Sequence, residues 1–67
     1  MRKNLINART DKGLTQAELA NLISTSERNY QYLEAGTSDG SLQLWQRISE
    51  QLNKGIDYLI IQEDKLR

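Results

Sequence analysis

The segment from residue 15 to residue 36, TQAELANLISTSERNYQYLEAG, restricts the fold more than any other part of the sequence. It contains two short amphipathic helical patterns in succession. The first pattern begins at Thr15, which can act as an N-cap because Glu18 follows at the spacing of a capping box. Its apolar residues then recur at helical spacing: Leu19, Ala20 and Ile23. The pattern predicts a helix of about two turns.

A run of hydroxyl residues at 24–26 interrupts this helix, because short hydroxyl side chains compete for backbone hydrogen bonds. Ser26 is the predicted N-cap of a second helix, and Gly36 supplies the left-handed conformation that commonly ends one. The polar side of this helix carries Glu27, Arg28, Gln31, Tyr32 and Ala35, opposite Tyr30, Leu33 and Glu34. A helix-turn-helix DNA reader presents such a polar second helix to the major groove.

At these residues the chain resembles the lambda-repressor-like helix-turn-helix family, which includes phage repressors, Cro proteins and bacterial xenobiotic-response-element regulators. The resemblance covers most of the chain. Its motifs are Leu5 with Ala8 and Arg9, KGL at 12–14, TQAELA at 15–20, LEAG at 33–36 and IDYLI at 56–60. It implies a compact all-α fold of five helices, with the helix-turn-helix at the second and third, in a single domain over residues 1–67.

The composition agrees with this fold class. Proline is absent, β-branched residues are sparse, and no stretch alternates with period two, so a sheet has little support. The chain of 67 residues is long enough for one small core. All-α is therefore the predicted class.

The absence of cysteine and histidine removes whole classes of function. It excludes a disulfide, thiol catalysis and the usual zinc ligands, and it leaves no proton shuttle near neutral pH. We therefore expect no enzyme activity, metal, cofactor or small-molecule ligand. No apolar run is long enough for a signal peptide or a membrane span, so we expect a cytoplasmic protein that associates with the nucleoid when it is bound to DNA.

Three further helices are predicted around this segment. The first spans residues 2–12, with Leu5 and Ala8 toward the core and Ile6 to one side, and Gly13 ends it. The fourth begins after Ser41 and ends at Asn53, and its apolar residues recur at helical spacing: Leu42, Trp45, Ile48 and Leu52. The run at 56–61 after Gly55 predicts a short fifth helix with Ile56 and Leu59 inward.

The candidate base-reading residues lie on the outer side of the second predicted helix of the motif. Arg28 ranks first, because a guanidinium can bond guanine O6 and N7 together. Gln31 can bond adenine and Tyr32 can touch a thymine methyl or a phosphate, although either could equally be a solvated surface residue. Glu27 can accept from cytosine N4, repel DNA, or simply stabilise the positive end of the helix.

The resemblance also implies contacts to the DNA backbone. Gln16, in the first turn of the first motif helix, would hold a phosphate, and its alternative is an exposed helix former. Backbone N–H groups of Thr37 and Ser38 are candidates for a second phosphate. The loop at 37–41 carries hydroxyls and an acid where relatives often carry basic residues.

The resemblance implies a structural role for Arg9, which would point inward and pair with Glu34. The alternative is a solvated arginine, since arginine is seldom buried unless it is paired. Tyr30 should place its ring in the core with the hydroxyl reaching a partner.

The formal net charge of zero is unusual for a nucleic-acid binder, because neutralisation of phosphates supplies much of the affinity. The charges are unevenly placed along the chain. The basic residues Arg2, Lys3, Arg9 and Lys12 lie in the first segment, and the acids Asp57, Glu63 and Asp64 lie near the end. This distribution predicts a modest positive side.

The favoured interpretation is a sequence-specific DNA-binding regulator, a repressor of phage, Cro or antitoxin type, that binds an inverted-repeat operator in double-stranded DNA as a homodimer. Tyr58, Ile60 and Ile61 are the candidate dimer interface, unless they close the core beneath the fourth helix. The alternative function is a protein-interaction module on the same fold with weak or no DNA binding. The neutral charge, Glu27 and the non-basic loop would permit it.

Overall fold

The computed structural model describes residues 1–62 and shows five helices and no strand in that part of the chain. The helices are α1 (Lys3–Asp11), α2 (Gln16–Leu22), α3 (Glu27–Ala35), α4 (Leu42–Leu52) and α5 (Ile56–Leu59). The predicted all-α class is confirmed. Two acids of the predicted acidic end, Glu63 and Asp64, lie outside the described residues.

The helix ends follow the residues that the sequence marks for them. Thr15 and Glu18 form a reciprocal capping box at the start of α2, and Ser26 and Ser41 cap α3 and α4 through their side chains. Gly36 ends α3 in the left-handed conformation, with φ of 87°. These caps fix where α3 begins and ends, and therefore which side chains it exposes.

One apolar core joins all five helices. α3 packs on α1 and α2, while α5 joins α1 to α4. The buried apolar residues are Leu5, Ala8, Leu19, Ala20, Ile23, Tyr30, Leu33, Trp45, Ile48, Leu52 and Leu59. Leu14, Leu44 and Ile56 pack against them from the edge. Every buried side-chain nitrogen or oxygen in residues 1–62 has a hydrogen-bond partner.

Leu42 shares its helical spacing with Trp45 and Ile48, but unlike them it lies outside the core, with its side chain 68% exposed. Leu42 is the first residue of α4, and helical side chains tilt toward the N-terminus of their helix. The side chain therefore projects past the end of the core, and Leu44 packs against the core instead.

Arg2 is the residue whose placement differs most from the sequence prediction. Its side chain is buried, and its guanidinium donates to three carbonyl oxygens, those of Leu33 at 2.7 Å, Ser38 at 2.8 Å and Ile60 at 3.0 Å. We call this set the Arg2 cluster. The guanidinium also lies 5.1 Å from the centroid of the Trp45 ring. Burial lowers the pKa of Arg2 below its usual value, although the negative charge of Asp39 acts in the opposite direction.

The Arg2 cluster and Gln62 together finish the C-terminal end of α3. The backbone N–H of Arg2 donates to Glu34 O at 2.8 Å, and the Gln62 amide donates to Gly36 O at 2.9 Å. The amino group of Met1 donates in turn to Gln62 Oε1 at 3.2 Å. Carbonyls that a helix leaves without partners in its last turn are thus bonded by segments from both ends of the described chain.

None of the helices within residues 1–62 has the length and apolar character that crossing a membrane requires.

Candidate nucleic-acid interface

Helix α3 has a buried side and an outer face. Tyr30, Leu33 and Glu34 are buried. The residues of the outer face are exposed to solvent: Glu27, Arg28, Gln31, Tyr32 and Ala35. The sequence predicted both sides with the same members, because they follow from helical spacing once the caps have fixed the helix.

Glu34 is the anchor beneath this outer face. Its Oε2 accepts from Arg9 Nε at 2.6 Å and from the Tyr30 hydroxyl at 2.5 Å, and its Oε1 accepts from the Gln16 amide at 2.8 Å. Arg9 donates further to Leu14 O at 2.6 Å. The Arg9–Glu34 pair implied by the resemblance is present, with 12% of the Arg9 side chain exposed. One carboxylate thus joins α1, α2 and α3.

Arg9 and Tyr30 both keep their protons at neutral pH. Burial raises the pKa of the Tyr30 hydroxyl far above its usual value, and the hydrogen bond to Glu34 adds to the effect. Burial alone would lower the pKa of Arg9, but its hydrogen bond and charge interaction with Glu34 outweigh that, so the pKa is raised. Arg9 remains a cation and Tyr30 a neutral donor.

Arg28 stands free on the outer face. It is exposed, and no group within residues 1–62 forms a hydrogen bond or ion pair with its guanidinium. All five N–H donors of the fork are therefore available to a partner. Tyr32 also points outward, with 46% of its surface exposed.

Gln16 and Gln31 are connected to each other and to two carboxylates. Gln31 Nε2 donates to Gln16 Oε1 at 3.3 Å and to Glu27 Oε2 at 3.4 Å, while Gln16 Nε2 donates to Glu34. Because an amide nitrogen carries two hydrogens, Gln16 keeps one N–H for an outside acceptor. Gln16 is half-buried at the start of α2, beside the outer face of α3.

The backbone N–H groups of Thr37 and Ser38, which we expected to face a phosphate, are already used within the protein. Both donate to Tyr32 O, at 3.0 Å and 3.3 Å. The reason is that Tyr32 O is one of the carbonyls left over at the end of α3, and the chain folds back over it. The expected backbone contact is therefore not available in this structure, whereas the Thr37 side chain remains exposed.

The basic first segment supplies less surface charge than the sequence suggested. Arg2 is buried and Arg9 is paired with Glu34, so only Lys3 and Lys12 of the four basic side chains are exposed. The prediction of a positive side formed by all four residues is therefore wrong. The sequence pattern could not separate them, because an arginine that bonds distant carbonyls has no local signature.

Tyr58, Ile60 and Ile61 form an apolar patch near the end of the described chain. They are 42%, 38% and 45% exposed, whereas Leu59 between them is fully buried. The alternative that these three close the core beneath α4 is therefore wrong. Met1 is also 50% exposed, and its amino group donates to Gln62, the residue that follows Ile61.

Sequence reasoning missed two residues, Arg2 and Gln62, that hold the end of α3. A signal for Arg2 exists only in hindsight, as an arginine directly before the first apolar helical pattern. Gln62 follows an apolar run and carries no signal that separates it from a surface glutamine.

A model of the helix-turn-helix family matches the chain over residues 5–59. Neither the curated proteins nor the solved structures include a significant match to it.

Proposed function

The chain belongs to the helix-turn-helix family, and from that premise we propose that it is a sequence-specific DNA-binding regulator of transcription. One observation carries the proposal. Helix α3 is held against the core by the buried side chains of Leu33 and Glu34. Its opposite side exposes Arg28, Gln31 and Tyr32 to solvent. A rigid helix with exposed polar side chains on one side is what reading base edges in a major groove requires.

Arg28 is the proposed guanine reader, because its fork is free and can bond O6 and N7 together. Glu27, Gln31 and Tyr32 are the proposed neighbours that read the adjacent bases. Gln16 is proposed to hold a phosphate with its second amide hydrogen at the positive end of α2. Ser38 is proposed to approach the DNA backbone through its hydroxyl group, because the N–H groups of Thr37 and Ser38 and the Thr37 hydroxyl already donate to Tyr32 O.

We propose that the regulator is a repressor of phage, Cro or antitoxin type. The support is the resemblance of the motifs at 15–20 and 33–36 to those repressors. A protein that occupies the major groove competes with polymerase for the same DNA, so no cofactor or catalytic step is needed. The proposed location is the cytoplasm, where the protein would associate with the nucleoid when it is bound to DNA.

The proposed active form is a homodimer on an inverted repeat. One α3 covers only a few base pairs, and Arg28 is the only cation on its outer face. A two-fold pair doubles both the sequence read and the phosphates contacted. The patch of Tyr58, Ile60 and Ile61 is the proposed interface because it leaves apolar surface exposed.

A second candidate function is a protein-interaction module on the same fold. The observation that favours it is the charge of the outer face, where Glu27 offsets Arg28 and no further cation is present. Such a face gives little attraction to phosphate at physiological salt.

Selection of bound sites from a random pool of double-stranded DNA separates the two functions. We expect the unchanged protein to enrich an inverted repeat. We expect Arg28→Ala to enrich it more weakly and to lose the base preference at one position of each half-site. Lys3→Ala, which removes an exposed cation from α1, is the control and should recover the same motif as the unchanged protein. A pool that shows no enrichment after repeated rounds would overturn the proposal and favour the interaction module.

A further inference from the structure

A continuous row of side-chain hydrogen bonds runs from the buried Glu34 to the surface Glu27. Its members are Glu34, Gln16, Gln31 and Glu27 in that order, linked at 2.8, 3.3 and 3.4 Å. The two ends are carboxylates, which only accept hydrogen bonds, and the two central members are amides, which have a donor end and an acceptor end. Such a row determines which way each amide points.

The buried end sets the orientation of Gln16. Glu34 is 4% exposed and balances the charge of Arg9, so it is held as an acceptor. Gln16 must therefore turn its nitrogen toward Glu34 and its Oε1 toward Gln31. The reversed amide would place an oxygen against a carboxylate oxygen, which is repulsive.

The orientation of Gln31 follows from its two neighbours. Gln16 Oε1 and Glu27 Oε2 are both acceptors, so both hydrogens of Gln31 Nε2 are used. The groups left facing outward are Gln31 Oε1 and the second oxygen of Glu27. Both residues are exposed, and both remaining groups accept hydrogen bonds without donating any.

We infer that Gln31 and Glu27 act together as an acceptor pair that selects a base with an amino group in the major groove, adenine or cytosine, over guanine or thymine. This specificity rests on the proposed function. Adenine N6 and cytosine N4 donate hydrogen bonds in the major groove, whereas guanine O6, guanine N7 and thymine O4 accept them. An acceptor pair bonds the first two bases and leaves the others facing like groups without a partner.

This behaviour differs from that of a glutamine without internal bonds. Such a glutamine bonds adenine through two contacts, accepting from N6 and donating to N7, and so prefers adenine alone. Gln31 has no spare hydrogen for N7 while Glu27 and Gln16 are both bonded to it. The pair therefore binds adenine and cytosine equally well. The carboxylate of Glu27 causes this broader base preference, because it occupies one hydrogen of Gln31.

The experiment compares the motifs selected from random double-stranded DNA by the unchanged protein and three variants. Gln31→Ala identifies the base position that depends on this residue, where we expect an adenine or cytosine preference of about tenfold over guanine and thymine to disappear. Glu27→Ala frees one hydrogen of Gln31, so the preference should narrow to adenine. Gln51→Ala removes an exposed glutamine from α4 and should change nothing. All three positions are exposed, and thermal melting of each variant checks that the fold is intact.

The outcomes separate this inference from the proposed function. Binding without any enriched motif, or no binding, fails the proposed function itself. An enriched motif in which the Gln31-dependent position holds guanine or thymine leaves the function standing and overturns the acceptor pair. A motif that Gln31→Ala leaves unchanged also overturns it, as does an adenine and cytosine preference that survives Glu27→Ala without narrowing.

Discussion

At the scale of single residues, Glu34 connects the core to the outer face of α3. A buried carboxylate is unfavourable unless charge and hydrogen bonds compensate it, and here Arg9, Tyr30 and Gln16 all donate to it. Because the donors come from three helices, this one side chain helps to fix the position of α3 relative to α1 and α2. The orientation of the outer face thus depends in part on a carboxylate that is buried behind it.

Tyr30→Phe should lower the free energy of unfolding by about 1.5 to 3 kcal/mol, the range for a hydrogen bond to a charged group. The pH dependence should change as well. The pKa of Tyr30 is raised in the folded state, so above the ordinary tyrosine value of about 10 the unfolded chain loses a proton that the folded chain keeps. The stability that this hydroxyl contributes is thus complete below that pH and falls as the pH rises past it.

Urea unfolding at a series of pH values from about 8 to about 11 measures both effects. The decline above the tyrosine pKa should be smaller in Tyr30→Phe than in the unchanged protein. Tyr32→Phe removes an exposed hydroxyl and should leave the stability at neutral pH within about 0.5 kcal/mol. Equal stability of Tyr30→Phe and the unchanged protein at neutral pH would show that the bond to Glu34 contributes nothing net.

Arg28→Ala should lose about 1 to 3 kcal/mol of binding free energy on the preferred site and relax the preference at one base pair. The reason is that its guanidinium has no partner within residues 1–62, so its removal takes away the proposed base contact without disturbing the fold. Titration of a labelled operator and of a scrambled duplex at one salt concentration measures this loss. An equal loss on both duplexes would make Arg28 a phosphate contact.

At the scale of the elements, the sequence predicts what is decided within a few residues along the chain. The caps at Thr15, Ser26 and Ser41 and the two sides of α3 were predicted correctly, because each depends on neighbours one to four positions away. The exposure of Leu42 could not be predicted, because helical spacing alone does not show where a helix extends past its core. The burial of Arg2 depends on carbonyls more than thirty positions away, which no local pattern reveals.

The same limit applies to the candidate interface. The exposed members of α3 follow from periodicity, whereas the use of the N–H groups of Thr37 and Ser38 follows from how the loop closes over Tyr32. The hydrogen bonds that fix Gln31 also cross from one helix to another. Identity of the outer residues was therefore predictable, and their remaining hydrogen-bonding capacity was not.

Leu33→Ala should lower the free energy of unfolding by about 2 to 5 kcal/mol, because the side chain is fully buried and its loss leaves a cavity beneath α3. Leu42→Ala is the matched control on an exposed leucine and should change stability by no more than about 0.5 kcal/mol. Thermal and urea unfolding of both variants decide the point. If the two variants melted together, the orientation of α3 described here would be incorrect.

Arg2→Lys should lower the free energy of unfolding by about 1 to 3 kcal/mol although it keeps the charge, because a single ammonium cannot reproduce the planar fork that bonds three separate carbonyls. Lys3→Ala removes a neighbouring exposed cation and should be nearly neutral. Urea unfolding compares the two variants. A stable Arg2→Lys would mean that charge alone, without the fork, holds the end of α3.

At the scale of the whole molecule, the proposed dimer should place two α3 helices in successive major grooves, so that half-sites lie about 34 Å apart. The apolar patch near residue 60 is small, and the contact need form fully only on DNA. Association of two copies should therefore be tested on DNA that carries the inverted repeat rather than with the free protein.

Ile61→Glu should weaken binding to an inverted repeat by about tenfold or more, since it places a charge in the proposed interface, and should leave binding to a single half-site unchanged. Electrophoretic titration with both duplexes, together with a footprint, measures this. Gln51→Ala serves again as the surface control. Binding that remains one-to-one on the inverted repeat, with a footprint over one half, would contradict the dimer.

The Arg2 cluster can be completed only late in the synthesis of the chain. The ribosome adds Arg2 before it adds α3, yet the partner carbonyl of Arg2 at Ile60 is added 58 residues later, and the Gln62 amide that bonds Gly36 follows it. Contacts between such distant positions form late, because the intervening chain must close first. A nascent or prematurely terminated chain that stops before residue 60 therefore carries the whole of α3 but lacks a finished end for it. We expect translation fragments of that length to be degraded rather than to compete for operators.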